Sequence, residues 1–242
     1  MSKRKAPTLA LRAALPPEGA AVALGRPGAD RAPTLALRAA PAPDRFVYLA
    51  SQSPRRSQLL EQMGIPHRLL LPDDGEDTES IEAVLPGEAP SRYVTRVTGL
   101  KLDAALLRLQ RRGLPTAPVL CSDTTVARGR TIYGKPADER DAARMLRELS
   151  GTTHRVLTAV AVQMGRKRRQ ALSDSRVTFA PWTSAQIRRY VASAEPMGKA
   201  GAYAIQGRAA AHISHISGSY SGIMGLPMHE TAQLLRAFGL EI

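Results

Sequence analysis

The chain has one cysteine among 242 residues, Cys121, and no CxxC or paired His/Cys spacing. That excludes an internal disulfide and leaves a zinc site unsupported, and it makes a reducing cytoplasm the expected location. Long apolar runs are also missing: none reaches the roughly 18 residues that a membrane span needs, so no membrane association is expected. Aromatic residues make up only 4%, which argues against a sheet that stacks bases in the manner of single-strand readers. Acidic residues number 21 against 34 Lys and Arg, and the formal charge of +13 points to anionic partners: nucleic acid, an acidic surface or a phosphorylated small molecule. No GxxxxGK[ST] loop is present, so a Walker-type phosphate site is ruled out.

What is present divides into a tail and a body. The first 44 residues hold 13 Ala and 7 Pro, and APTLALRAA occurs at Ala6–Ala14 and again at Ala32–Ala40. So little bulky apolar surface cannot offset the entropy of ordering, and this segment is expected to be disordered. MSKRK is basic, but no apolar core or small-residue cleavage site follows it, so an export signal is not expected. One α/β body is expected over residues 45–242, because strand-like runs alternate with amphipathic stretches. FVYLA reads as a strand feeding a helix that starts at Ser53-Pro54, an N-cap followed by a proline suited to the first turn. A long helix is predicted over Pro90–Gln110 with an apolar stripe of Tyr93, Val97, Leu100, Ala104 and Leu107, then a strand VLCSD ending at Asp123 and a helix over Asp138–Leu149. Strands at His154–Met164 and Ala171–Phe179 flank GRKRRQ, read as a basic hairpin tip; helices at Ser184–Ala192 and Glu230–Phe238 enclose a Gly-rich segment.

Three groups of residues could carry chemistry. SQSPRR places Ser51, Ser53, Arg55 and Arg56 around a helix start, where free backbone N–H groups and guanidinium forks suit a phosphate; the bland reading is a capped helix with two solvated arginines. Asp123, followed by two threonines and then by GRTIYGKP with Lys135 in a Gly-Pro turn, suits a carboxylate that orients water beside a lysine that neutralises phosphate; alternatively Asp123 only caps a turn. A second carboxylate would come from the acidic run Asp73, Asp74, Glu76, Asp77, Glu79. In EPMGKAGAYAIQG and the segment after it, Lys199, Gln206 and Tyr220 are candidate polar contacts, and a buried Gln206 could pair with the imide edge of uracil or thymine. His212, His215 and Trp182 read as structural.

The order of these blocks is more telling than any one of them. SxSPRRxxLL, PGEAPxxYVxRVxxxK ending at Lys101, SDTT, GKP, LSGTTHRVLTAVAV, EPxxKAGAYxIQG and GSYxGIMGLP follow one another between Phe46 and Phe238. In this the chain closely resembles the Maf family of nucleoside triphosphate pyrophosphatases. The resemblance implies an α/β fold with a mixed sheet, similar to the inosine triphosphatases, with two lobes around a deep cleft. It implies hydrolysis of a nucleoside triphosphate to the monophosphate and pyrophosphate with a divalent cation, Mg²⁺, Mn²⁺ or Co²⁺. Carried over residue by residue, it puts catalysis on Asp123, phosphate binding on Ser51, Arg56, Lys101 and Lys135, and metal binding on Asp123 and Glu76. Arg55, Thr124 and Gln206 stand at the positions that separate subfamilies and match the dTTP/UTP type, with modified pyrimidine triphosphates as further substrates. It leaves a homodimer open, and leaves open whether the role is nucleotide-pool house-cleaning or linked to cell division. The rival reading is a non-catalytic nucleic-acid-binding protein, favoured by the charge and by GRKRRQ, but the tail contributes +4 of that charge and a bare DNA binder has no use for Asp123.

Overall fold

The computed structural model describes residues 45–76 and 80–242; the tail, Asp77 and Glu79 lie outside the described residues. Strand β1 (Val47–Leu49) leads into helix α1 (Pro54–Gln62), with Ser53 in the N-cap position and Pro54 in the first turn, and Gly64 at φ 68° ends the segment. Then follow β2 (His67–Leu69), a 3-10 turn (Ser80–Glu82), α2 (Pro90–Arg111), β3 (Val119–Arg128), β4 (Thr131–Tyr133) and α3 (Glu139–Leu149), whose N-cap Asp138 accepts from the Asp141 amide. The chain continues through β5 (Thr153–Met164), β6 (Lys167–Phe179), α4 (Ser184–Val191), β7 (Ile213–Ser217), α5 (Tyr220–Met224) and α6 (Met228–Arg236). Among the described residues no helix is long and apolar enough to cross a membrane.

The seven strands among the described residues form one mixed sheet in the order β2-β1-β3-β5-β6-β7, with β4 also on β3. β2, β1 and β3 run parallel, and the remaining pairs are antiparallel. On one edge β3 pairs with β5 without interruption, from Val119 opposite Gln163 to Ala127 opposite Arg155. Its other edge meets β1 only at Val119 and Leu120 and meets β4 only at Val126–Arg128. Among the described residues, Cys121 to Thr125 therefore form an open stretch of edge inside the sheet, which is where a cleft can enter.

Apolar packing falls into clusters on either side of that opening. One gathers Val126, Leu146, Leu149, Phe179, Trp182 and Tyr203; another gathers Leu49, Leu59, Leu60, Leu120, Leu226 and Leu235. Each fully buried Leu contributes about 1.5–3 kcal/mol of transfer free energy. Trp182 packs against Phe179 and Tyr190 and stacks on His212, which is the structural role expected for both Trp182 and His212.

Several sequence expectations are corrected here. Asp123 does not end its strand, because β3 runs five residues further, held by β5. GRKRRQ is mostly strand: β6 begins at Lys167, only Gly165-Arg166 turn, and Arg168 pairs with Asp103 of α2. Of the predicted stripe of α2, Tyr93 and Val97 are buried, joined by Val94, Leu102 and Ala105, while Leu100 and Leu107 are exposed. The stripe predicted from hydropathy is rotated because the inward face also carries Lys101 and Arg108, two charged residues that an apolar pattern cannot register. β2, β7 and α5 were too short or too polar to be read.

His154 on β5 is 2% exposed, its Nε2 lies 2.8 Å from the Tyr203 hydroxyl, and burial pushes its pKa down from the usual 6.5 to about 4. The unfolded chain takes up this proton near 6.5, whereas the folded chain resists it. Stability contributed by neutral His154 is thus fully present above pH 6.5 and is lost as pH falls toward 4, by on the order of 3 kcal/mol. Thermal melts from pH 7 to pH 4 should show this decline, and His154→Gln should flatten it; an equally steep decline in the variant would assign the loss to other groups.

Candidate functional site

The first turn of α1 carries two arginines where the helix dipole disfavours cations, so something else must hold them. The loop after α5 does so. Arg56 donates its Nε to the Gly225 carbonyl (2.8 Å) and its Nη1 to Ser51 Oγ (2.9 Å), and Arg55 donates its Nε to the Met224 carbonyl (3.3 Å). Ser51 Oγ also accepts the Ser53 amide (3.2 Å), so Ser53 fills the cap position without a side-chain cap. Gly225 is required at this junction: its φ of 124° is a left-handed conformation, and an added Cβ would stand 3.5 Å from Arg56 Nε. Burial lowers the Arg56 pKa, and the charge of Asp123 works against that.

Across the opening, Lys101 on α2 donates to Asp123 Oδ1 (2.5 Å) and to Glu82 Oε1 (2.7 Å), and Lys135 donates to Glu82 Oε2 (3.1 Å). Asp123, Lys101, Glu82 and Lys135 thus form a continuous chain of alternating charge. Burial opposes the Lys101 charge, but Asp123 and Glu82 outweigh it and hold its pKa above the usual lysine value; burial likewise opposes the Glu82 charge, and Lys101 and Lys135 hold its pKa below the usual carboxylate value. Tyr93 anchors the turn by donating to the Glu82 carbonyl (3.0 Å), and burial pushes its own pKa up to about 12.

Both groups line one cavity of about 480 Å³, well within the size range of small-molecule sites. Ser122, Asp123, Thr124, Thr125 and Val126 all line it, although alternate side chains of a strand point to opposite faces. Four of these five, Ser122 to Thr125, belong to the open stretch of β3. The lining also has apolar residues, among them Val156, Met197, Tyr203, Ile205 and Ile223. Thr124 Oγ1 lies 2.9 Å from Thr158 Oγ1, which donates to the Gly222 carbonyl (2.7 Å). Cys121 is buried and its thiol is pushed up to about 12 by burial, so it is no nucleophile.

Of the residues singled out from the sequence, Ser51, Arg55, Arg56, Lys101, Asp123, Thr124 and Lys135 line this cavity together. Glu76, expected beside Asp123 as a metal ligand, is elsewhere. It makes a two-pronged pair with Arg108 (Oε1 to Nη2 2.6 Å, Oε2 to Nε 3.1 Å), and Arg108 also donates to the Leu70 carbonyl, so Glu76 fastens the loop after β2 to α2. Asp73 likewise pairs with Arg111 and Arg112. The loop is longer than an ungapped match of PDDGE allows, and the carboxylate that reaches Lys101 and Asp123 is Glu82, which the sequence reading missed. Gln206, expected to be buried against a base, is exposed and is not part of the cavity wall, where its neighbour Ile205 takes the inward position. Tyr220 is exposed too, whereas Lys199 lines the cavity.

The family described as "Maf-like protein" matches residues 46–238. A "dTTP/UTP pyrophosphatase" of Albidiferax ferrireducens is 72% identical to 81% of this chain and 98% of its own length. Proteins of the same name from a Polaromonas species and from Cupriavidus metallidurans are 71% and 66% identical, over 84% and 81% of this chain and 100% and 98% of theirs. A solved structure titled nucleoside-triphosphatase / dITP/XTP pyrophosphatase, from Mycobacterium abscessus, aligns at 14% identity with a TM-score of 0.35 over 56% of this chain and 74% of that one.

Proposed function

Because the chain belongs to the Maf family, we propose that it hydrolyses dTTP and UTP, and modified pyrimidine triphosphates with them, to the nucleoside monophosphate and pyrophosphate. The observation that carries the proposal is that Arg56 and Asp123, far apart in sequence, face one cavity together with Lys101 and Lys135. The relatives named dTTP/UTP pyrophosphatase supply the substrate class.

In this reading Ser51, Arg56, Lys101 and Lys135 take the polyphosphate. Asp123 spends Oδ1 on Lys101, while Oδ2 has no protein partner among the described residues and faces the water that attacks the α-phosphorus. Asp123 accepts the proton from that water, its oxygen bonds to phosphorus, and the α–β bridging oxygen departs with pyrophosphate, whose charge the cations offset. Arg55 and Thr124, which line the cavity, take part in selecting the nucleotide. Gln206 is assigned to selection on family resemblance alone, since the structure leaves it exposed.

A divalent cation suits these residues. Asp123 and Glu82 aim carboxylate oxygens at one shared point, now filled by the Lys101 ammonium, and Mg²⁺ is commonly held by one or two carboxylates plus substrate phosphates. No cluster of three or more His, Cys, Asp or Glu able to hold a metal is present among the described residues. When bound, such a cation supplies neutralisation and polarisation of the phosphates. Glu82 replaces Glu76 as the second proposed ligand. The buried thiol fits a cytoplasmic protein.

The test is a panel of dTTP, UTP, dCTP, CTP and GTP with Mg²⁺, Mn²⁺ or Co²⁺, with products resolved by ion exchange. Release of monophosphate and pyrophosphate from dTTP and UTP is expected, at rates unchanged by removal of residues 1–44. Release of diphosphate and phosphate, or retention of DNA with no turnover of any nucleotide, would overturn the proposal.

A further inference from the structure

Seven charged side chains line the cavity besides Arg108, which Glu76 neutralises, and they are not distributed evenly. Lys101 and Lys135 are paired with Asp123 and Glu82. Lys199 has no carboxylate within ion-pair distance among the described residues. Its ammonium donates to two main-chain carbonyls, those of Glu195 (2.5 Å) and Met197 (3.5 Å). An ammonium has three donors and no acceptor, so one N–H is left over beside the cavity that the residue lines. Burial lowers the Lys199 pKa and the nearby charge of Arg55 lowers it further, outweighing the charge of Glu195, which raises it. A cation held there against both effects, and fixed by backbone oxygens, is placed to meet an acceptor brought by the ligand.

The neighbours of Lys199 identify which part of the ligand that is. It lines the cavity together with Met197, Ala200, Tyr203 and Ile205, which belong to one apolar cluster and give this stretch of wall its apolar character. Flat, largely apolar groups with a few polar edges suit such a wall, and in a nucleotide that group is the base.

We propose that Lys199 is a base-recognition residue: its free N–H donates to the 4-carbonyl oxygen of uracil or thymine. The inference rests on the pyrophosphatase reading above and supplies what that reading lacks, a reason for rejecting cytosine. Uracil and thymine present an acceptor at position 4, and cytosine presents an amino donor there. A donor-only ammonium fixed by two carbonyls cannot turn to accept, so cytosine leaves both groups unsatisfied. Gln206, from its exposed position, is not needed for this discrimination.

The experiment compares UTP, CTP and 4-thio-UTP, whose sulfur is a poor acceptor, on wild type, Lys199→Met and Lys199→Arg. The wild type should prefer UTP to both of the others. In Lys199→Met, kcat/KM for UTP should fall about 10- to 100-fold, as expected for one hydrogen bond from a charged donor, mainly through KM. The preference over CTP should shrink by the same factor and the 4-thio penalty should vanish, while Lys199→Arg, also donor-only, should keep both. Inhibition by pyrophosphate should be unchanged in every variant. Where the Met variant does not fold, Lys199→Gln replaces it; its amide can also accept, so it too should lose discrimination against CTP. Preferences and a 4-thio penalty equal to those of wild type would overturn the proposal, and so would weakened pyrophosphate inhibition, which would make Lys199 a phosphate ligand. A wild type that does not turn over UTP at all would instead sink the pyrophosphatase reading.

Discussion

Asp123→Asn is expected to lower kcat by about 10²- to 10⁴-fold, the usual worth of a general base, with little change in melting temperature. The fold should survive because Asp123 is held by its backbone, paired with Ala159 in the middle of the β3–β5 ladder, and because an amide oxygen can still accept from Lys101. What is lost is the ability to take a proton from water. Turnover and thermal melts measured on the same preparation separate the two effects. Activity near wild type would remove Asp123 from the reaction, and a collapsed melt would show that its charge is structural.

The second large effect distinguishes two acidic residues only six positions apart. Glu82→Gln takes the negative charge from between Lys101 and Lys135, so turnover should drop by about 10²-fold and the divalent cation needed for half-maximal rate should rise. Glu76→Gln should leave kcat near wild type and lower stability by on the order of 2 kcal/mol, because the Arg108 guanidinium, 4% exposed, keeps one of its two hydrogen bonds to this side chain and loses the other along with its counter-charge. A reversed outcome, with turnover lost in the Glu76 variant and kept in the Glu82 variant, would return the second carboxylate role to Glu76.

These two residues also show how far the sequence could be read. Motifs with fixed internal spacing placed their residues well: the SQSPRR block, Lys101, SDTT and GKP all reach one cavity. Glu76 failed because its loop is longer than the short motif allows, and pattern alone cannot tell a carboxylate that fastens a loop from one that faces a ligand. The register of α2 failed because Lys101 and Arg108 lie on its inward face, where burial is stabilised by partners that hydropathy does not see. Gln206 was read as buried because its segment is rich in small residues, but in a tight turn neighbouring side chains diverge, and Ile205 took the core. Among the cavity residues, Lys199 was legible as a polar candidate, but its two carbonyl contacts were not.

Strand β3 is gripped near both ends of its cleft side, by β1 at Val119 and Leu120 and by β4 from Val126, and along its whole back by β5. It behaves like a beam seated on two piers, with Cys121 to Thr125 as the span. Exchanges at Thr124, within that span, leave the main-chain ladder to β5 in place and give up only its hydroxyl contact with Thr158, so the cavity lining can change there while the architecture stays intact.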